Sequence, residues 1–263
     1  MIFLPFVVFL LGLIVGSFLN VVILRMNTGR SYVKGKSKCA SCSRNLEWYE
    51  LIPVFSFLAL KGKCRTCLNE ISFQYPVVEL ITALVFTLLY IKIPLVYAFT
   101  SYAWLSFVLA LAIASILIVI LVYDFRHKII PDSAVYAFII LSVASVAYKA
   151  LTIPGFPFFP AIASGVVVAL PFFFLWLLSK GKAMGFGDVK LALGIGWLLG
   201  ITGGFTAILL AFWVGGIFGL FLLALTHRYH MKSQIPFAPF LIIGIFIVGV
   251  WGVSISNLFS IWP

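Results

Sequence analysis

Residues 102–123 read YAWLSFVLALAIASILIVILVY, a run of 22 residues without a charged side chain. About 20 consecutive apolar residues in a helix are enough to cross the hydrocarbon core of a bilayer. Similar runs recur along the chain, and 63% of its 263 residues are hydrophobic while only 10% are charged. A soluble domain of this size cannot bury so much apolar surface. The sequence therefore predicts an all-α polytopic membrane protein.

The apolar runs predict about eight transmembrane helices. Their predicted ranges are residues 2–24, 76–91, 102–123, 133–148, 158–179, 189–199, 205–225 and 236–259. The first run has neither a basic start nor a small-residue cleavage site. We therefore interpret it as a retained span and not as a signal peptide that is removed.

The formal net charge of +11 follows from membrane topology. Basic residues concentrate in alternate segments between the apolar runs, namely 25–65, 126–128, 180–190 and 228–232. The positive-inside rule places these segments in the cytoplasm, with only Lys92 and Lys149 outside. The charge also favours contact with anionic lipid headgroups of the bilayer. We expect no nucleic-acid partner.

A single long polar segment, residues 25–75, separates the first two spans and contains all four cysteines of the chain. They form two C-x-x-C pairs, Cys39 with Cys42 and Cys64 with Cys67. This spacing is typical of a four-thiolate zinc site, in which each pair gives two sulfurs to one tetrahedral ion. Disulfides are disfavoured in the reducing cytoplasm, and redox chemistry would need only one pair. We predict one structural zinc per chain, whose binding energy helps a segment with little core to fold.

Acidic residues are scarce, and the chain has seven: Glu47, Glu50, Glu70, Glu79, Asp124, Asp132 and Asp188. The three glutamates of the polar segment are expected to be solvated. A carboxylate in or near the bilayer is costly and is therefore a candidate functional group. Asp124 follows a span and Asp188 precedes one, and the predicted topology puts both at the cytoplasmic face. Glu79 is expected to pair with a polar group inside the helix bundle.

Asp124 and Asp188 are the predicted catalytic pair of an aspartyl protease. Two carboxylates held close together share one proton, so that one activates water while the other donates to the scissile carbonyl. The glycines of Gly185-Phe186-Gly187-Asp188 would allow close backbone approach and unusual dihedral angles beside the carboxylate. Alternatively, Asp188 or Asp132 is simply a helix-start acid that interacts with the helix dipole. Asp132 is the reserve candidate.

Six motifs occur in the order typical of one family. They are residues 16–22 (GSFLNVV), the two C-x-x-C pairs with 52–56 (IPVFS) between them, 75–80 (YPVVEL), 124–132, 185–191 (GFGDVKL) and 235–240 (IPFAPF). In these motifs the sequence resembles the bacterial type IV prepilin peptidases, which belong to the G-x-G-D membrane aspartyl proteases. Two positions depart from the family pattern: Met26-Asn27 follows Arg25 where Leu-Pro is common, and Ala238 replaces a usual glycine.

The resemblance implies an enzyme of the bacterial inner membrane with its active site and zinc domain in the cytoplasm. Its substrates would be pilin-like precursors of pilus or secretion systems, from which it removes a short basic leader. By matching motif, Asp124 and Asp188 would be catalytic. Many members also methylate the new N-terminus with S-adenosylmethionine, an activity linked to the cysteine-bearing segment, so we expect a bifunctional enzyme. The implied domains are a first helix (1–24), a zinc-type domain (25–75) and a peptidase core (76–263).

Three other functions remain open from the sequence. The chain could be a peptidase without methyltransferase activity or a presenilin-like protease of another membrane substrate. It could also belong to a different class, an ion or proton transporter whose intramembrane carboxylates carry the ion and whose zinc segment docks a partner. Processing of a precursor distinguishes the proteases from the transporter.

Overall fold

The computed structural model describes residues 3–92, 101–182, 184–225 and 236–254. Several predictions concern residues outside these ranges: residue 2, segment 228–232, Ile235 and residues 255–259 of the last predicted span. Within the described ranges every regular element is a helix. The only β-type pairings among these residues are two isolated bridges, Lys38 with Asn45 and Lys63 with Glu70.

The helices follow one another with short connections, apart from the long segment after the first. They are α1 (Phe3–Arg25), α2 (Phe55–Ala59), α3 (Gln74–Lys92), α4 (Ser101–His127), α5 (Asp132–Thr152), α6 (Phe158–Ser179), α7 (Phe186–Leu225) and α8 (Ala238–Trp251). A single 3-10 turn, Trp48–Leu51, precedes α2.

Six of these helices, α1 and α3 to α7, are long and apolar enough to cross a membrane, and α8 is a shorter apolar helix. The protein is therefore a multi-pass membrane protein. Helix α7 contains a break at Gly200, where φ is +74° and ψ is −178°, a conformation that only glycine adopts without strain. The break separates two helical segments that correspond to the predicted spans 189–199 and 205–225. The described residues thus contain an apolar helical segment at each of the eight predicted positions, and six helices there are long and apolar enough to span a membrane.

Several predicted helix ends were wrong: α5 ends at Thr152 and not at residue 148, and α8 ends at Trp251 and not at residue 259. Two further errors, of three and four residues, concern candidate catalytic residues. Helix α4 continues beyond residue 123 to His127, so Asp124 lies within its last turns. Helix α7 begins at Phe186, so Asp188 lies in its first turn and not before it. A charged residue marks the end of an apolar run but does not by itself end a helix, because the backbone hydrogen bonds continue through it.

The chain forms two compact units, Met1–Val119 and Ile120–Pro263. This division differs from the predicted domains 1–24, 25–75 and 76–263, which were defined by function and stay a prediction. In the first unit, α1 packs closely on α3 through two glycines. A β-carbon on Gly12 would lie 2.5 Å from the Cα of Ala83, and one on Gly16 would lie 2.7 Å from the Cα of Glu79. Small residues four apart let membrane helices approach this closely.

Asn20 joins the two helices of the first unit near one membrane face. Its side-chain amide donates to the carbonyls of Gly16 at 3.3 Å and Tyr75 at 3.1 Å, and its oxygen accepts a bond from Gln74 at 3.3 Å. The side chain is 1% exposed. A buried amide with its hydrogen bonds made fixes the start of α3 against α1.

In the second unit, α7 packs between its neighbours through small residues. Gly196 would bring a β-carbon to 2.4 Å from the Ser164 carbonyl oxygen of α6, and Gly244 of α8 would bring one to 2.2 Å from the Ala207 carbonyl oxygen. The Ser164 hydroxyl also donates to the Gly196 carbonyl at 2.8 Å. These contacts fix α6, α7 and α8 around the residues that carry Asp188.

Candidate functional site

The first C-x-x-C pair lies in a tight turn. The N–H of Ser43 donates to the Cys39 carbonyl at 3.0 Å, and the N–H of Cys39 donates to the Arg44 carbonyl at 2.9 Å. Ser43 adopts a φ of +55°, which lets the chain reverse just after the pair. The turn directs both sulfurs to one side.

The second pair repeats this geometry almost bond for bond. The N–H of Leu68 donates to the Cys64 carbonyl at 3.0 Å, and the N–H of Cys64 donates to the Asn69 carbonyl at 2.9 Å. Leu68 has a φ of +57°, close to that of Ser43. The side-chain amide of Asn69 also donates to the Ser41 hydroxyl of the first turn, which ties the two turns together.

The four sulfurs of Cys39, Cys42, Cys64 and Cys67 lie within 4.8 Å of one another, and none is in a disulfide. The Sγ atoms of Cys39 and Cys67 are 3.9 Å apart. Four sulfurs at about 2.3 Å from one tetrahedral zinc would be roughly 3.8 Å from each other. The donor set therefore fits one closed metal site, and the tertiary structure brings together the cysteines that the sequence predicted.

Backbone N–H groups stabilise the thiolate form of the first cysteine of each pair, whereas burial and the neighbouring sulfurs raise the pKa of Cys67 to about 11. The N–H groups of Cys67 and Thr66 lower the pKa of the Cys64 thiol to about 6. Those of Cys42 and Ser41 likewise lower the pKa of Cys39. Metals bind the thiolate, so the turns prepare their sulfurs for a cation.

Glu50 was expected to be solvated, and this prediction was wrong. The Arg44 guanidinium donates to its two carboxylate oxygens at 2.7 and 3.0 Å, and the Glu47 N–H donates at 2.9 Å. The carboxylate side chain is 2% exposed, and the Arg44 bonds lower the pKa of Glu50. The ion pair of Arg44 and Glu50 joins the first cysteine turn to the 3-10 turn. No sequence signal linked the two residues, because they are six positions apart and no single helix places them on one face.

Asp124 is buried, with 4% of its surface exposed, near the end of α4. Its carbonyl accepts the N–H of Lys128 at 2.7 Å, and Lys128 ends the helix with a φ of +56°. Its carboxylate accepts the backbone N–H of Ala238 at the start of α8. Every residue type except proline supplies that N–H, so alanine in place of glycine at this position keeps the donor. This contact has no sequence signal, because it uses the backbone alone.

Asp188 is also buried, with 9% of its surface exposed, in the first turn of α7. Its N–H donates to the Gly185 carbonyl at 3.2 Å. Asp188 lies close enough to Asp124 for the charge of Asp124 to act on it. The second unit thus brings together two buried carboxylates that are 64 positions apart in the sequence.

The two glycines of the G-x-G-D motif have different roles. A β-carbon on Gly187 would lie 2.9 Å from the Cβ of Ile130, whereas one on Gly185 would lie 3.8 Å from the nearest atom, an Asp188 oxygen. Close approach is therefore confirmed at Gly187. The expected unusual dihedral angles are absent, because neither glycine has a positive φ.

Asp132, the reserve candidate, lies in an ion pair at the surface. Its Oδ1 atom is 2.6 Å from the Lys190 ammonium, and its side chain is 67% exposed. The Lys190 nitrogen also lies 4.8 Å from the ring centre of Tyr136 and 5.5 Å from that of Phe186. Asp132 is therefore exposed, unlike the buried Asp124 and Asp188, although its partner Lys190 is only two residues from Asp188.

Glu79 was expected to pair with a polar group, and this is confirmed. In the first unit its Oε2 atom accepts the backbone N–H of Val54 at 2.7 Å. It also has a hydrogen bond with the Ser17 hydroxyl. Glu79 is 6% exposed. Among the described residues it has no cationic partner, since the ion pairs there join other residues.

Comparison with known families covers both units. Residues 10–93 match the model of the bacterial peptidase A24 N-terminal domain, and residues 111–220 match that of the type IV leader peptidase family. The chain belongs to the type IV leader peptidase family. The first match includes the four cysteines and Glu79, and the second includes Asp124 and Asp188.

Relatives named prepilin leader peptidase/N-methyltransferase support this membership. The Bacillus subtilis protein is 30% identical, with 96% of each chain covered. The Aeromonas salmonicida protein is 31% identical, with 95% of this chain and 91% of the relative covered. The Myxococcus xanthus protein is 33% identical over 86% of this chain, which spans 65% of that relative's length. No solved structure matches the chain.

Proposed function

We propose that this type IV leader peptidase family member is an aspartic endopeptidase that removes the leader of type IV prepilin-like precursors. The observation that supports this most strongly is the pair of buried carboxylates, Asp124 and Asp188, in the part of the chain that matches the peptidase family. Each carboxylate accepts a backbone N–H at a helix end, Asp124 from Ala238 and Asp188 from Gly185, which suits groups that must keep their orientation during a reaction.

The two carboxylates supply the parts of an acid–base mechanism. One, ionised, takes a proton from water as the water oxygen bonds to the scissile carbonyl carbon, while the other, protonated, gives its proton to the carbonyl oxygen. The second carboxylate then recovers a proton from the tetrahedral intermediate as the carbonyl reforms and the C–N bond breaks. The first gives its proton to the leaving amine. Both groups return to their starting states.

The proposed location is the bacterial cytoplasmic membrane, with the aspartates and the cysteine turns at the cytoplasmic face. The distribution of basic residues between the spans supports this orientation. The apolar helix of a precursor would lie in the bilayer while its leader stays in the cytoplasm. The bond to be cut would then lie at the depth of helix ends such as those that carry Asp124 and Asp188.

We also propose that the enzyme methylates the new N-terminal amine. S-adenosylmethionine would supply the methyl group, which moves from its sulfonium sulfur to the amine nitrogen as that nitrogen loses a proton. The methyl donor is inferred from the family, and none of the described residues is assigned to hold it. Cys39, Cys42, Cys64 and Cys67 would hold one zinc with no open coordination position, so the metal would stabilise this part of the chain and take no part in the reaction.

The test uses purified full-length protein in lipid vesicles, a pilin-like precursor and S-adenosylmethionine with a labelled methyl group. We expect cleavage and label transfer with the wild type, and no cleavage with Asp124→Asn or Asp188→Asn. Asp132→Asn is the matched control, because its carboxylate is exposed and paired with Lys190. Normal processing by either buried-aspartate variant contradicts the proposed peptidase. Cleavage without label transfer removes the methyltransferase part alone.

A further inference from the structure

A cavity of about 530 Å³ lies beside α1 in the first unit. One wall is formed by α1 residues that include Leu10, Ile14 and Ser17, and the other by the polar segment that follows α1, through residues that include Trp48 and Phe55. The lining is apolar except for Ser17. A part of the segment predicted to be cytoplasmic therefore lies beside a membrane-spanning helix.

The α1 residues that line the cavity are in the middle of that helix. With a rise of 1.5 Å per residue, Ser17 lies about 12 Å and Leu10 about 22 Å from Arg25, where the helix ends. The hydrocarbon core is about 30 Å thick, so this stretch of α1 is at the depth of the acyl chains. Residues that share a cavity with it must reach into the same layer.

The hydrogen bond between Glu79 and Val54 supports the same depth. Glu79 lies about 8 Å along α3 from Gln74, where that helix begins. Its carboxylate accepts the N–H of Val54 at 2.7 Å, so Val54 lies beside the first turns of α3. The contact with α3 thus agrees with the depth that the cavity on α1 gives for the same segment.

The turn at Val54 satisfies its backbone N–H groups without water. Val54 has a φ of +61°, which is strained for a β-branched residue, and forms a three-residue γ-turn in which the N–H of Phe55 donates to the Pro53 carbonyl at 2.6 Å. Pro53 has no N–H to satisfy, and the N–H of Val54 is bound by Glu79. Non-helical backbone is tolerated at membrane depth only when the protein itself supplies such partners.

The exposed side chains of the segment are apolar. Trp48 and Phe55, which line the cavity, are 76% and 64% exposed, and Leu58 is 65% exposed. In water these side chains would form an unusual apolar patch on a small polar domain. In the hydrocarbon of a bilayer, exposure of these side chains would carry no such cost.

We propose that residues 48–59 form a re-entrant segment that enters one leaflet of the bilayer, and that lipid acyl chains occupy the cavity between it and α1. Glu79 anchors the segment by replacing the water that would otherwise bind the Val54 N–H. The four-cysteine site is thereby held at the membrane surface. The inference concerns lipid contact and stands apart from the peptidase and methyltransferase activities.

The test uses the full-length wild-type protein in vesicles whose phospholipid carries a photoactivatable diazirine on one acyl chain. After illumination and proteolysis, mass spectrometry locates the labelled residues. We expect labels on Trp48, Phe55 or Leu58 as strong as those on Phe18 of α1, and several-fold weaker labels on Leu68. Leu68 is the matched control because it is 68% exposed beside the second cysteine pair. Labels on Phe18 without labels on residues 48–59 overturn the proposal, and so does equal labelling of Leu68.

Two Glu79 variants test the anchor. Glu79→Gln keeps an oxygen that accepts from Val54 and should keep the labelling pattern. Glu79→Leu leaves the Val54 N–H without an acceptor, so labelling of residues 48–59 should fall several-fold relative to Phe18. If Glu79→Leu does not fold, the wild-type pattern still decides the lipid contact. Unchanged labelling in a folded Glu79→Leu protein contradicts the anchoring role.

Discussion

Gly187 packs so closely on Ile130 that a β-carbon on the glycine would lie 2.9 Å from the isoleucine Cβ. Ile130 follows the helix that carries Asp124, and Gly187 directly precedes Asp188. The contact therefore joins the two segments that supply the buried carboxylates. Ile130 is branched at the contact atom and cannot move aside by rotating a distant end.

Gly187→Ala should displace the start of α7 and with it Asp188. Overpacking of this kind costs about 1–3 kcal/mol, and a shift of about 1 Å in a catalytic group can lower the rate by up to roughly a hundred-fold. We expect precursor cleavage to fall at least ten-fold on that scale. Gly185→Ala is the matched control, since its β-carbon has ordinary contacts. Equal activity of the two variants in the cleavage assay would show that the Ile130 contact does not position Asp188.

Loss of the ion pair between Asp132 and Lys190 should change stability little. The Asp132 side chain is 67% exposed, and exposed pairs contribute about 0.2–1 kcal/mol. Asp132→Asn should therefore retain cleavage within a few-fold of wild type and unfold at nearly the same temperature. Lys190→Met should have a larger effect, because the ammonium also lies against the rings of Tyr136 and Phe186. Loss of cleavage in Asp132→Asn, with the fold intact, would restore Asp132 as a catalytic candidate.

Gly12→Ala should loosen α1 from α3. The added β-carbon would lie 2.5 Å from the Cα of Ala83, and backbone atoms cannot rotate away, so we expect a cost of about 1–3 kcal/mol. Gly216→Ala is the control within another apolar helix, because no atom lies within 4 Å of its added β-carbon. Thermal unfolding in detergent should show a lower midpoint for Gly12→Ala than for the wild type. The midpoint of Gly216→Ala should be unchanged. Matching midpoints would mean that α1 and α3 accommodate the added β-carbon without loss of stability.

Removal of one cysteine should release the metal. Zinc analysis of the purified wild type should give about one ion per chain, and Cys64→Ser should give far less. Ser41→Ala is the control, because it loses the bond from Asn69 but no sulfur. Its zinc content should stay at the wild-type level. A stable wild-type protein without any metal would contradict the zinc assignment.

Acid should also release the metal. Binding requires thiolates, and the pKa of Cys64 is lowered to about 6 by the N–H groups of Cys67 and Thr66. Lowering the pH through that value favours the neutral Cys64 thiol, so competition from protons strengthens below about pH 6. The pKa of Cys67 is raised to about 11 by burial and the neighbouring sulfurs, so that thiol adds some competition at neutral pH as well. Zinc release to a chromogenic chelator, followed between pH 8 and pH 5, should rise toward the acid end of this roughly three-unit range. Release that is independent of pH would exclude thiolate ligands.

Much of the architecture could be predicted because a bilayer imposes simple rules on a sequence. The uncharged run before Asp124 predicted a span, and the break at Gly200 matches the gap between two predicted spans. The two C-x-x-C pairs predicted a four-sulfur cluster, since local turn geometry fixes the two sulfurs within each pair. The predicted helix ends were less accurate. The prediction placed Asp188 before α7, whereas the structure places it inside the first turn of that helix.

The long-range contacts could not be predicted from the sequence. The partners of Glu50, Glu79 and Asp132 proved to be Arg44, the Val54 N–H and Lys190, and the last two are separated from their partners by 25 and 58 positions. A backbone donor carries no residue-type signal, so the contacts of Val54 and Ala238 are invisible in a sequence. The membrane depth proposed for residues 48–59 is of the same kind, since a stretch in which nine of twelve residues are hydrophobic fits a small folded core as well as a segment in the bilayer.

By itself, the sequence determined that this protein is a multi-pass helical membrane protein with a four-cysteine cluster and with very few carboxylates. Hydropathy and residue spacing are local properties, and local properties can be read along a chain. Only the tertiary structure decided which carboxylates are buried together, which are paired at the surface and which one holds a backbone turn. Those outcomes depend on how helices distant in sequence pack, and a single missing β-carbon at Gly12 or Gly187 sets how closely they approach.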